Sequence, residues 1–118
     1  MGEMGLMGTN YYVVPNRPSI ESYHLGKSSA GWKFCFQTQD MPWCDPPIVW
    51  RSYAEVEAWL KKYVGETKEF VIMDEYDAIV NLDYFFNLVA KKQQENNPED
   101  FRYNENVDGY RFCEGDFC

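Results

Sequence analysis

Ser52-x-x-Glu55, followed by Val56, Trp59, Leu60, Tyr63 and Val64 and then by Gly65, leaves one regular option for this segment, a capped amphipathic helix. The Ser52 hydroxyl is placed to accept an orphan amide of the first turn, and Glu55 to reach back toward the cap. The apolar residues recur at helical spacing, so they share one face. Glu57 and Lys61 fall one turn apart on the other face. Gly65 reads as the stop. A second helix is predicted from Asn81, its cap, with Leu82, Phe85, Phe86 and Val89 as the inner stripe and an end before Pro98. Between the helices, Phe70–Met73 reads as a strand, Asp74–Asp77 as a turn and Ala78–Val80 as a returning strand.

The residues before the first helix are β-rich. Thr9–Val14 is a strand that ends at Pro15, which has no amide hydrogen for a ladder. Ser22–Leu25 and Gly31–Gln39 read as strands on either side of a Gly-Lys-Ser-Ser turn, with Gly26 or Gly31 at positive φ. In the second of these, Trp32, Phe34 and Phe36 alternate with Lys33, Cys35 and Gln37, which predicts one core face. Asp40–Pro47 is expected to be a loop and Ile48–Trp50 a short strand. Two short strands are expected around Asp108-Gly109, a hairpin signal. The fold class is α+β: a small, mostly antiparallel sheet with two packed helices. Residues 1–8 read as a flexible leader and 9–118 as a single α+β domain.

The densest chemistry lies in His24-Leu25-Gly26-Lys27-Ser28-Ser29-Ala30-Gly31-Trp32. Lys27, Ser28 and Ser29 supply donors and the glycines allow close backbone approach, as an anion-binding turn needs. A P-loop is excluded, because the position that must be its first glycine is Glu21 and no buried strand precedes it. As a general base, His24 needs an orienting carboxylate, and Asp74, Glu75 or Asp77 is a candidate because all three sit at a strand turn. The candidate ligand- or partner-binding set is therefore His24, Lys27, Ser28, Ser29, Trp32, Asp74 and Glu75. The alternative reading is a tight turn beside a partly buried strand histidine.

Gly8-Thr9-Asn10-Tyr11-Tyr12, then His24-x-Gly26-Lys27-Ser28-Ser29-Ala30-Gly31-Trp32-x-Phe34, then Asp74-Glu75-Tyr76, resembles a family of small proteins encoded by phages and prophages. The resemblance spans most of residues 8 to 90 and brings no established activity with it. Many members have a Cys-x-x-Cys pair between the first two motifs. This chain has Val13-Val14-Pro15-Asn16-Arg17-Pro18 there, so no zinc site is expected from that pair.

Charge narrows the partners. Eleven Lys and Arg stand against nineteen Asp and Glu, for a net charge of −8. Direct binding to nucleic-acid phosphates needs a basic face and is not expected. Residues 1–39 carry Arg17, Lys27 and Lys33 against Glu3 and Glu21, so the acidity lies in the rest of the chain. Glu99, Asp100, Glu105 and Asp108 are the expected acidic partner face, suited to a basic surface on another protein; the plain alternative is an acidic surface that keeps the chain in solution. No run reaches the ~18 apolar residues of a membrane span. Cys35, Cys44, Cys113 and Cys118 are expected as free thiols, since no export signal is seen; Cys113 and Cys118 are only loosely spaced like half of a zinc site. Tyr11, Tyr12, Tyr23, Trp32 and Trp43 are more rings than a two-helix core needs, and a minority are expected to be exposed as interface anchors. No cofactor or metal site is expected.

The sequence-level conclusion is a phage-encoded, small, acidic binding protein. It is expected in the host cytoplasm as an inhibitor or modulator of a host defence or transcription protein. The alternative is a small-ligand site for nucleotide sequestration or phosphoester chemistry around His24 and Lys27.

Overall fold

Tyr11, Val13 and Pro15 are buried in the first strand while Asn10, Tyr12 and Val14 are only partly so, the alternation of a strand with one core face. The computed structural model of the chain describes residues 8–29, 31–94, 105–107 (backbone only) and 109–113. The strands are β1 (Thr9–Pro15), β2 (Tyr23–Ser28), β3 (Cys35–Gln37), β4 (Gln39–Met41), β5 (Ile48–Trp50), β6 (Phe70–Asp74), β7 (Ile79–Val80), β8 (Glu105–Val107) and β9 (Tyr110–Cys113). The helices are α1 (Tyr53–Leu60), which continues as a π-helical segment over Lys61–Glu66, and α2 (Leu82–Lys92). Seven strands form one sheet in the order β7-β6-β1-β2-β3-β9-β8, and β4 and β5 pair separately. Every pairing is antiparallel except β3 with β9. The α+β class with a mostly antiparallel sheet and two helices is therefore observed.

Both helices lie on one face of the large sheet. Phe85 of α2 meets Tyr11 and Phe34 edge-on, with centroids 5.8 and 5.3 Å away. Trp59 of α1 sits between Trp50 and Phe70 at 5.1 and 5.0 Å. Both indole N–H groups find carbonyls, Trp50 at Gln37 and Trp59 at Pro47, each at 2.8 Å. That removes the cost of burying a polar handle in an apolar layer. Ser52 caps α1 and Asn81 caps α2 through their side-chain oxygens. Glu55 reaches back to the amide of Arg51, one residue before the cap. Glu57 and Lys61 pair at 3.3 Å.

Several boundaries move. Gly26-Lys27-Ser28 lies inside strand β2, paired along β1, and is not a turn. The turn falls after it, with Gly31 at φ +83°. The strand expected over 31–39 shrinks to Cys35–Gln37, and all three of its residues are buried. Trp32 and Phe34 both lie outside it, and of the Trp32/Phe34/Phe36 stripe Phe34 and Phe36 are core. Part of the expected 40–47 loop is the β4 strand. Gly65 is not a left-handed stop; it lies in the π-helical segment, where a Cβ would press to 3.3 Å from Leu82. The tail hairpin forms, and its second strand joins β3 in parallel, a long-range pairing with no local signal.

Candidate functional site

The face of the sheet opposite the helices carries the polar residues singled out above. Cross-strand partners share a face. Asn10 lies opposite Lys27, Lys27 opposite Cys35, and Cys35 opposite Arg111, so the four form one row across β1, β2, β3 and β9. The register of β1 and β2 slips between Tyr11 and Tyr12: Tyr11 faces Gly26 and Tyr12 faces His24. The extra residue, Leu25, is fully buried, and Gly26 beside it is buried too. This bulge sends both toward the core and brings His24 and Lys27 onto the same open face.

His24 is held there by a chain of hydrogen bonds. Its Nε2 lies 2.9 Å from Asn10 Oδ1. The Asn10 side-chain amide donates to Glu75 Oε1 at 3.0 Å, and the Asn10 backbone N–H donates to the same oxygen at 2.7 Å. A carboxylate only accepts, so Glu75 forces the Asn10 NH₂ toward itself and the Asn10 oxygen toward His24. The histidine must then donate from Nε2. Gln37 and the Gly26 backbone act to raise the ring's pKa, and the Tyr12 ring lies over it at 5.1 Å. Burial holds the His24 pKa below 6.5, and the Lys27 charge acts in the same direction. The Asn10 donors hold the Glu75 carboxyl below the ordinary range. Burial thus favours a neutral imidazole, and the hydrogen bonds orient it.

Of the sequence-selected residues, His24, Lys27 and Glu75 come together. Asp74 does not join them; its Oδ1 accepts from the amides of Tyr76 and Ala78 and shapes the turn. Ser28 and Ser29 sit at the Gly8 end of the strand pair, where a Cβ on Gly8 would collide with the Ser28 carbonyl. The Ser29 carbonyl takes the Trp32 amide and the Lys92 ammonium at 3.2 and 2.7 Å. These are turn-building contacts. Trp32 lies beneath the Arg111 guanidinium, 4.6 Å from its carbon. Gly26 serves the core, since a Cβ there would run into the Phe34 ring and the Cys35 carbonyl.

An open depression of about 200 Å³ adjoins the network, lined by Tyr12, Ser22, Met73 and the carboxylates of Asp74, Glu75 and Asp77. Neither His24 nor Lys27 lines it, and three acids disfavour a phosphate there. Among the described residues, no group of three His, Cys, Asp or Glu side chains is placed to hold a metal ion. Cys44 is a free thiol, Cys35 is buried and Cys113 half-buried, and Cys118 lies outside the described residues. Residues 1–7 of the expected leader also lie outside them. So do Glu99, Asp100 and Asp108 of the expected acidic face; for Glu105 only the backbone is described, in β8.

Sequence reasoning missed Asn10, Gln37 and Arg111. Asn10 stood within the Gly8–Tyr12 motif, but its link to Glu75 crosses 65 residues, and Arg111 arrives only through the parallel β3–β9 pairing. Of the five surplus rings, Tyr11 is core and Trp43 is 77% exposed. Among the described residues, the other large exposed apolar side chains are Ile20, Tyr76, Ile79 and Tyr84. Three of these occupy nine consecutive residues spanning the β6–β7 turn, β7 and the first turn of α2. From Glu69 to Ala90 the chain has Glu69, Asp74, Glu75, Asp77 and Asp83 and no Lys, Arg or His. No described helix is long and apolar enough to cross a membrane.

Comparison with protein-family models, curated proteins and solved structures gives no match.

Proposed function

We propose that this is a phage-encoded acidic binding protein that inhibits or modulates a host protein with a basic surface, in the host cytoplasm. The phage setting rests on the motif resemblance. The observation that carries the binding role is the exposed Tyr76, Ile79 and Tyr84 group in a segment whose only charges are carboxylates. Aromatic and aliphatic anchors supply contact area, and the carboxylates steer a basic partner. The test is affinity capture from host lysate with the wild type and a folded Tyr76→Ala/Tyr84→Ala variant. A basic-surfaced protein retained by the first and lost by the second supports the reading. An identical retained set for both overturns it. Charge reversal at Glu99, Asp100, Glu105 and Asp108, with on-rates measured on that partner, then decides whether the tail contributes to steering.

A second reading is a small-ligand site on the open face, for nucleotide sequestration or phosphoester chemistry. The His24–Asn10–Glu75 chain beside Lys27, half-buried at His24 and exposed at Glu75, favours it. Lys27→Ala is then expected to abolish perturbation of the His24 resonances by added nucleotide, with stability within ~0.5 kcal/mol of wild type. No perturbation in the wild type removes this reading.

A further inference from the structure

We infer that the β7 edge of the large sheet is a docking site for an extended basic peptide segment, which adds to it as a further antiparallel or parallel strand. The inference rests on the acidic-binding reading and names the form of the partner.

β7 is the terminal strand on its side of the sheet. The Asp74 amide donates to the Ala78 carbonyl at 3.0 Å, so Asp74 and Ala78 form a hydrogen-bonded pair. Such pairs alternate in an antiparallel ladder. Met73 and Ile79, the next pair, are therefore the non-hydrogen-bonded kind. The N–H and C=O of Ile79 accordingly point away from β6, toward the open edge. The Ile79 side chain is 71% exposed. Beside it lies a recess of about 270 Å³ whose apolar lining includes Val64, Phe70, Ile72, Val80 and Leu82. Lys68 also borders the recess, and its ammonium is 3.2 Å from the Gly65 carbonyl. An incoming strand thus meets one outward-facing backbone donor–acceptor pair and a recess for an apolar side chain.

Charge selects the occupant. Asp77 and Asp83 flank β7 in the chain and are exposed. A second copy of this chain would set these acids against each other, which opposes self-pairing. A segment alternating Lys or Arg with apolar residues meets them with opposite charge and fills the recess.

The test uses an eight-residue capped peptide of alternating Lys and Val, titrated into the isotope-labelled full chain, with a Glu–Val peptide as control. The expected result is a shifted Ile79 amide that becomes protected from hydrogen exchange with the Lys–Val peptide only. Affinity should fall about tenfold or more in Asp77→Lys/Asp83→Lys. Ile79→Pro should abolish binding while retaining the β6–β7 pairing, because the lost N–H faces outward. Exchange protection of Ile79 in the wild type decides the matter even if that variant does not fold. Equal response to both peptides, no response, or a concentration-dependent dimer overturns the proposal. Binding without Ile79 protection overturns strand addition alone and leaves the acidic-binding reading standing.

Discussion

One carboxylate oxygen of Glu75 accepts both the backbone N–H of Asn10, at 2.7 Å, and its side-chain amide, at 3.0 Å. The contact ties the β6–β7 turn to the start of β1 and orients the amide that holds His24. Both His24 and Glu75 have pKa values below their ordinary ones. The unfolded chain therefore binds their protons at a higher pH than the folded chain does, and stability falls as pH falls. The loss begins near the ordinary histidine value of 6.5 and continues below 4.5, where Glu75 takes its proton. Urea melts from neutral pH downward should show it, and His24→Gln should flatten the upper part. Asn10→Asp places a carboxylate against the ring, so the His24 pKa followed by proton resonances should rise. An unchanged value would show that Asn10 does not govern the ring.

Tyr53 makes the opposite prediction at alkaline pH. Burial pushes its phenol up to about 12, with Glu57 and Tyr110 adding to the effect, and its ring stacks on Tyr110 at 4.2 Å. The unfolded phenol ionises near 10, so stability present below that pH should be lost as pH rises toward 12. Tyr53→Phe should remove that part of the alkaline loss, as read by melts against phenolate absorbance.

Gly26 should tolerate no side chain. Gly26→Ala drives a methyl into the Phe34 ring and the Cys35 carbonyl, and should cost ~1–3 kcal/mol by overpacking. Gly31→Ala meets open space and is disfavoured only by its φ of +83°, so it should cost ~1 kcal/mol. Denaturant midpoints that place Gly31 as the more sensitive site would contradict the packing role of Gly26.

In α1, Ser52→Ala removes the acceptor for the Glu55 amide and should cost ~1 kcal/mol. Trp59→Ala removes a ring packed among Trp50, Tyr63 and Phe70 and should cost ~3–5 kcal/mol. Melts of the two variants should preserve that order.

The two caps and their apolar stripes, the β-rich start, the β8–β9 hairpin and the α+β class were legible in the sequence because each depends on residues within a few positions of one another. Capping oxygens meet amides two or three residues on, and stripes follow the helical period. Strict alternation along residues 24–27 would have put His24 and Gly26 on one face and Lys27 on the other. Only the pairing of β1 with β2 inserts Leu25 as the extra residue and brings His24 and Lys27 to the same side. Likewise, Glu75 reaches Asn10 because β6 and β2 both flank β1, and Arg111 reaches Trp32 because β9 runs parallel to β3. Register and strand order depend on burying the whole aromatic layer at once, from Tyr11 to Phe112, and no local segment holds that information. The residues with candidate chemistry were thus visible one by one, while their grouping was set by the core on the other side of the sheet.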